Sequence, residues 1–184
     1  MVSLVVGALS GVGAMAWTGA RGLGLPAAIL AGLYFCLVAA VQEAVFRGWG
    51  LSILRRRVGF WGAAIITSII FAAIHAFIPD QNGMALLAMG LFGLAMCAAV
   101  RRRGTLWWAM GLHAGWDFML TPVFGFGAAP GQHVVCRLAP QGPVWLSGGA
   151  AGPEASAITL AMLGCLFGAL VWRSDQPGGV ATSR

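Results

Sequence analysis

Apolar runs long enough to cross a bilayer recur along this chain and leave little sequence for a water-facing surface. Of the 184 residues, 59% are hydrophobic and only 9% are charged, against about 25% charged in an ordinary soluble domain. The pattern predicts an all-α fold: a polytopic membrane helix bundle of about six transmembrane helices, near residues 2–20, 25–48, 58–78, 84–100, 105–120 and 155–172.

The breaks between runs have physical causes. Arg21-Gly22 and Leu25-Pro26 separate the first two. Pro79-Asp80-Gln81-Asn82-Gly83 is turn chemistry, so the third and fourth runs form a hairpin. The triplets Arg55–Arg57 and Arg101–Arg103 end the second and fourth. Residues 121–154 contain Pro122, Pro130, Pro140, Pro143 and Pro153 among many glycines, which predicts a long Gly/Pro-rich loop before the last helix. Ala14-Met15-Ala16 has the look of a cleavage site, but no Lys or Arg precedes it, so the first run reads as a retained span. We expect one integral-membrane domain over residues 1–184.

Net charge is +6, and much of it sits in the two arginine triplets between apolar runs. Such clusters are orientation signals rather than phosphate-binding patches, so no nucleic-acid partner is expected. With both triplets in the cytoplasm, the N-terminus and the tail carrying Arg173 and Arg184 are also inside. The 79–83 turn and the long loop are then outside, and the expected location is the cell (plasma) membrane. Trp61, Trp107 and Trp108 lie near the arginines, as interface anchors do. Cys36, Cys97 and Cys165 lie within apolar runs as small hydrophobes, Cys136 lies in the loop, and none forms a C-x-x-C pair. His133 falls in the long loop and reads as a surface residue.

The informative residues are the polar ones inside the runs, because an ionisable group in a bilayer is costly and marks a functional site by default. They are Glu43, Arg47, His75, His113 and Asp117, on the second, third and fifth runs. Glu43 precedes Arg47 by one helical turn, the favourable order for an ion pair. At that spacing the pair can neutralise itself and hold the helix in place, the reading preferred for Arg47 over catalysis. His113 and Asp117 are also four apart, so Asp117 could fix the tautomer of His113. His75 has no charged neighbour on its own run, and its partner is expected from another helix. At 1.5 Å per residue, His75 lies about 27 Å past Arg57, while Glu43 and His113 lie about 20 and 15 Å from their arginines. A tilt or a displaced turn is needed to bring His75 level, with the site at mid-membrane or in the outer half.

Three segments, Gln42-Glu43-Ala44-Val45-Phe46-Arg47, Phe71-Ala72-Ala73-Ile74-His75 and His113-Ala114-Gly115-Trp116-Asp117, stand in this order. Together with Arg47-Gly48 they resemble the EExxxR, FxxxH and HxxxN/D motifs of the CAAX protease and bacteriocin-processing family. That family includes the Ras-converting type of CAAX endopeptidase and bacterial Abi proteins. The resemblance covers about residues 35–120. It implies an intramembrane endopeptidase of the glutamate/histidine type, with the catalytic set Glu43, His75, His113 and Asp117. In this pattern a glutamate and His75 activate water, His113 and Asp117 form the oxyanion side, and Arg47 is structural. Neither a cofactor nor a metal is implied. The partners would be the lipid bilayer and a protein or peptide substrate, with or without a prenyl group.

The chain departs from the pattern at its first acid, where Gln42 stands. An amide orients water but cannot take its proton. Adjacent helix residues point about 100° apart, so Glu43 does not simply occupy the same direction. Three readings follow: Glu43 as base after a small helix rotation, His75 as base with Gln42 placing the water, or a catalytically impaired binding or immunity protein. Asp117 also stands where Asn is common; ionised, it orients His113 rather than donating to an oxyanion. Metal-dependent hydrolysis is a chemical rival, since Glu43, His75, His113 and Asp117 are all ligand types, although Arg47 beside Glu43 opposes a cation. A transporter would use the same residues as a relay, but the chain carries no inverted repeat.

Overall fold

The computed structural model describes residues 1–19, 22–129 and 131–172. Arg21, Pro130 and the polar tail with Arg173 and Arg184 lie outside the described residues. The fold is mostly helical, as expected, with one small sheet.

Helix α4, Gly83–Arg103, is the central post. Asn82 caps its start by accepting from the Ala85 N–H at 3.0 Å, and Gly104 ends it in the left-handed conformation at φ 69°. Its alanines and glycines let neighbouring helices approach closely. On one side lies α3, Leu51–His75; on the other lies α7, Ala157–Trp172. Helix α2, Leu25–Glu43, is peripheral and packs on α5, Trp107–Phe118. A widened π-type segment, Ala44–Gly50, carries α2 into α3. Such segments concentrate at functional sites. A Cβ on Gly50 would approach the Val45 carbonyl oxygen to 3.1 Å.

The two long helical runs differ in what they face. The apolar window of Leu25–His75 is only 6% buried, whereas that of Gly83–Arg103 is 56% buried. Leu25, Leu30, Leu33 and Leu37 stand exposed along α2. An apolar face of this extent is foreign to a water-exposed surface and matches a lipid-facing one. At the arginine end, Arg101 lies over the Trp61 ring at 5.0 Å and Arg103 over Trp108 at 4.4 Å.

Helix length and composition do not by themselves establish the expected six or so spans. Among the described residues, two helical runs, Leu25–His75 and Gly83–Arg103, are long and apolar enough to cross a membrane. Gly59 (φ 72°, ψ 173°) interrupts the first of these just after Arg57, where the sequence places a break. Within the described residues, the apolar helices Val2–Gly11 and Ala157–Trp172 are shorter than the ~17–25 residues that a span needs. Helix α1 is Val2–Gly11, and Gly13 at φ 70° turns the chain out of it. Residues Met15–Gly19 then form β1, not the end of a span. β1 pairs antiparallel with β2, Arg137–Pro140, placing Met15 opposite Pro140 and Trp17 opposite Leu138. A hydropathy sum counts apolar side chains and is blind to the glycines that redirect the backbone. The segment 121–154 is likewise more than a bare loop. After β2 it forms α6, Val144–Ser147, and tight helical turns at Gly149–Ala151 and Pro153–Ala155.

Candidate active site

The site begins with a buried ion pair. Arg47 Nη1 donates to Glu43 Oε1 at 3.0 Å, and both side chains are fully buried. The helical spacing anticipates this contact. The rest of the Arg47 guanidinium lies against the Phe71 ring, 4.5 Å from its centroid, an arrangement that stabilises a desolvated cation. Gly93 on α4 makes room for it: a Cβ there would come within 2.9 Å of Arg47 Nη2 and 2.8 Å of Ser68 Oγ.

The same Glu43 oxygen holds a histidine. His113 Nδ1 lies 2.8 Å from Glu43 Oε1. The carboxylate accepts, so Nδ1 carries the proton and Nε2 points the other way, toward Asp117. Asp117 Oδ2 is 3.7 Å from His113 Nε2, beyond hydrogen-bond distance. The expectation that Asp117 fixes the tautomer of His113 is therefore corrected: Glu43, from another helix, does so. Phe92 packs edge-on to His113 at 5.1 Å between centroids and leans on Trp116 at 5.6 Å.

His75 is satisfied within its own helix, not by another. Its Nδ1 is 2.7 Å from the Phe71 carbonyl oxygen, which can only accept, so Nδ1 donates and Nε2 keeps its lone pair. Gly59 breaks α3 just past the first arginine triplet, and sixteen residues of rise, about 24 Å, separate it from His75.

Gln42, His75, His113 and Asp117 line one cavity of about 620 Å³. Its other walls include the Pro79–Gln81 turn, Phe126–Ala128 and Ala150–Ala151. It thus lies at the end of α3 and α4 opposite the arginine triplets. Glu43 and Arg47 are behind the wall, not in it. Gln42 Oε1 has no hydrogen-bond partner among the described residues. His133 is exposed in the loop and lines no part of the cavity. Among the described residues, no three His, Cys, Asp or Glu side chains are grouped to hold a metal ion.

One residue of the cavity escapes motif reasoning. Glu154, in the turn just before α7, lines the cavity and accepts from Trp116 Nε1 at 2.7 Å. The signal for it was compositional: it is one of only five acids in the chain and stands alone in an otherwise uncharged stretch before the last apolar run.

His75, His113, Asp117 and Glu154 thus border one cavity, backed by the buried Glu43–Arg47 pair, in a mostly helical chain with long apolar helices. A family model described as "Type II CAAX prenyl endopeptidase Rce1-like" matches residues 8–119, more than half of the chain. The chain belongs to this family, whose members are membrane proteins and CAAX-type endopeptidases acting on protein substrates. No curated protein and no solved structure matches the chain.

Proposed function

We propose that this chain is an intramembrane endopeptidase that hydrolyses a peptide bond near the membrane-associated or lipid-modified terminus of a protein. The observation that carries the reading is the convergence of Gln42, His75, His113 and Asp117, from three helices, on one cavity. His75 presents a lone pair at Nε2 and can share the proton of an attacking water. The Gln42 amide orients that water. His113, when protonated at Nε2, donates to the developing oxyanion, with Asp117 Oδ2 3.7 Å from that nitrogen. Glu43 and Arg47 are positioning residues: Glu43 is bonded to both Arg47 and His113 and has no exposure to the cavity. With the arginine triplets in the cytoplasm, the cavity opens toward the other side. That orientation suits anchor trimming or peptide maturation.

The test offers purified protein in detergent a fluorogenic prenylated CAAX peptide and an unmodified apolar peptide, with and without chelator. Cleavage that persists in chelator and is lost in His75→Ala, with the variant still folded, is the expected result. A His75→Ala variant that cuts as fast as the natural chain removes the assignment. One observation favours a second reading, a binding or immunity protein on a protease scaffold: an amide, Gln42, lines the cavity at the position where the family pattern has an acid. Under that reading only Gln42→Glu cuts.

A further inference from the structure

Glu154 is the cavity carboxylate that no motif contains. It sits in the tight turn Pro153–Ala155, whose place is set by the start of α7. Thr159 Oγ1 and Ser156 Oγ both donate to the Pro153 carbonyl, at 2.6 and 2.7 Å, and Ser156 Oγ accepts from the Thr159 N–H at 3.1 Å. This capping network is fully buried, and its turn packs against α4. On the cavity side, the Trp116 indole fixes one carboxyl oxygen at 2.7 Å. Trp116 is itself held by Phe92, one residue before Asp117 and three after His113. Glu154 is therefore aimed into the same space as Gln42, His75, His113 and Asp117 by two independent elements.

Gln42 cannot accept a proton, and Glu43 is sealed behind the wall. We propose that Glu154 is the proton acceptor of the cavity, filling from the loop the role that the chain lacks at Gln42. The proposal rests on the endopeptidase reading above. In the reaction, water gives one proton to Glu154 as its oxygen bonds the scissile carbonyl carbon and the carbonyl π pair moves onto oxygen. Collapse of that intermediate reforms C=O and breaks the C–N bond. Glu154 returns the proton to the departing nitrogen. One water is consumed, and a carboxylic acid and an amine result.

The electrostatics suit the role. Among the described residues, Glu154 has a neutral indole for a partner and no arginine, unlike Glu43. Burial, with a smaller push from Asp117, holds its carboxyl up at about 7 against the Trp116 hydrogen bond and His113, which oppose the shift. Across the cavity it shares space with His75 and Asp80. A base of this kind is deprotonated, and active, above about pH 7 and lost below it.

The experiment compares four full-length proteins in detergent: natural, Glu154→Gln, Gln42→Glu, and the double variant Gln42→Glu/Glu154→Gln. Each is offered the two peptides across pH 5.5–9, roughly the range around a base titrating near neutrality. Glu154→Gln keeps the size of the side chain and an oxygen for the Trp116 indole, and thermal unfolding checks that it is folded. The expected result is a fall in kcat of about 10²–10⁴-fold with KM little changed. The double variant recovers activity, with its acid limb moved. Natural and Glu154→Gln proteins with equal kcat and the same acid limb overturn the Glu154 assignment and leave the endopeptidase reading intact. Cleavage by Gln42→Glu but not by the natural protein also overturns it, since Glu154 then supplies no base. Failure of all four to cut either peptide, although folded, overturns the endopeptidase reading itself.

Discussion

The site has two halves built on opposite principles. On the closed half, Glu43, Arg47 and His113 Nδ1 form a chain of charge-assisted contacts at 2.8–3.0 Å with almost no exposure. On the open half, His75, Gln42, Asp117 and Glu154 border a cavity. The closed half spends buried charge to fix the orientation of one imidazole. The open half keeps its groups available to a reactant. A buried ion pair adds little net stability, but breaking one leaves an uncompensated charge that is very costly. Mutations in the two halves should therefore separate stability from activity.

The sharpest way to break this contrast is Arg47→Met. It strands the Glu43 carboxylate in an apolar core, and the expected loss is about 3–5 kcal/mol, read as a fall in melting temperature in detergent or as loss of folded protein. A mild effect would mean that water reaches Glu43 and that the half is not closed. Next comes Gly93→Ala, which drives a methyl group against Ser68 and Arg47; the expected cost is about 1–3 kcal/mol from overpacking. Trp116→Phe removes the donor to Glu154 and should cost about 1 kcal/mol, within the range for a single hydrogen bond, while shifting the acid limb of any pH profile upward. The smallest stability effect belongs to His75→Ala. Its hydrogen bond to the Phe71 carbonyl predicts about 1 kcal/mol or less, yet this variant should lose most of the cleavage rate. If His75→Ala unfolds the protein as readily as Arg47→Met, the two halves are one structural unit and the distinction falls.

Much of the closed half was legible from spacing. Glu43 and Arg47 one turn apart on a helix have few other ways to satisfy their charges in an apolar run, and the pair is present at 3.0 Å. The same logic misled at His113. Asp117 shares its helix face, but the stronger partner, Glu43, comes from a helix seventy residues away. His75 shows the converse: its expected partner on another helix is a carbonyl one turn back on its own. The fold followed the same division. Helical class and the breaks after the arginine triplets and at the 79–83 turn could be read from apolar runs and turn residues. The short α1, the β1–β2 pairing across more than a hundred residues and the shortness of α5 could not.

By itself, then, the sequence determined what depends on local composition and periodicity. These are a membrane-suited helical chain, the residues that cannot be lipid-facing at no cost, and the spacings that put Glu43 with Arg47 and His113 near Asp117. Tertiary structure alone decided which of these groups meet across helices and which face open space. Glu43 is walled off although it carries the motif's surviving acid, and Glu154 reaches the cavity although it belongs to no motif. The reason is geometric. Neighbouring helix positions diverge by about 100°, and the direction that counts as inward is set by α3, α4, α5 and α7 packing together, which no local pattern encodes.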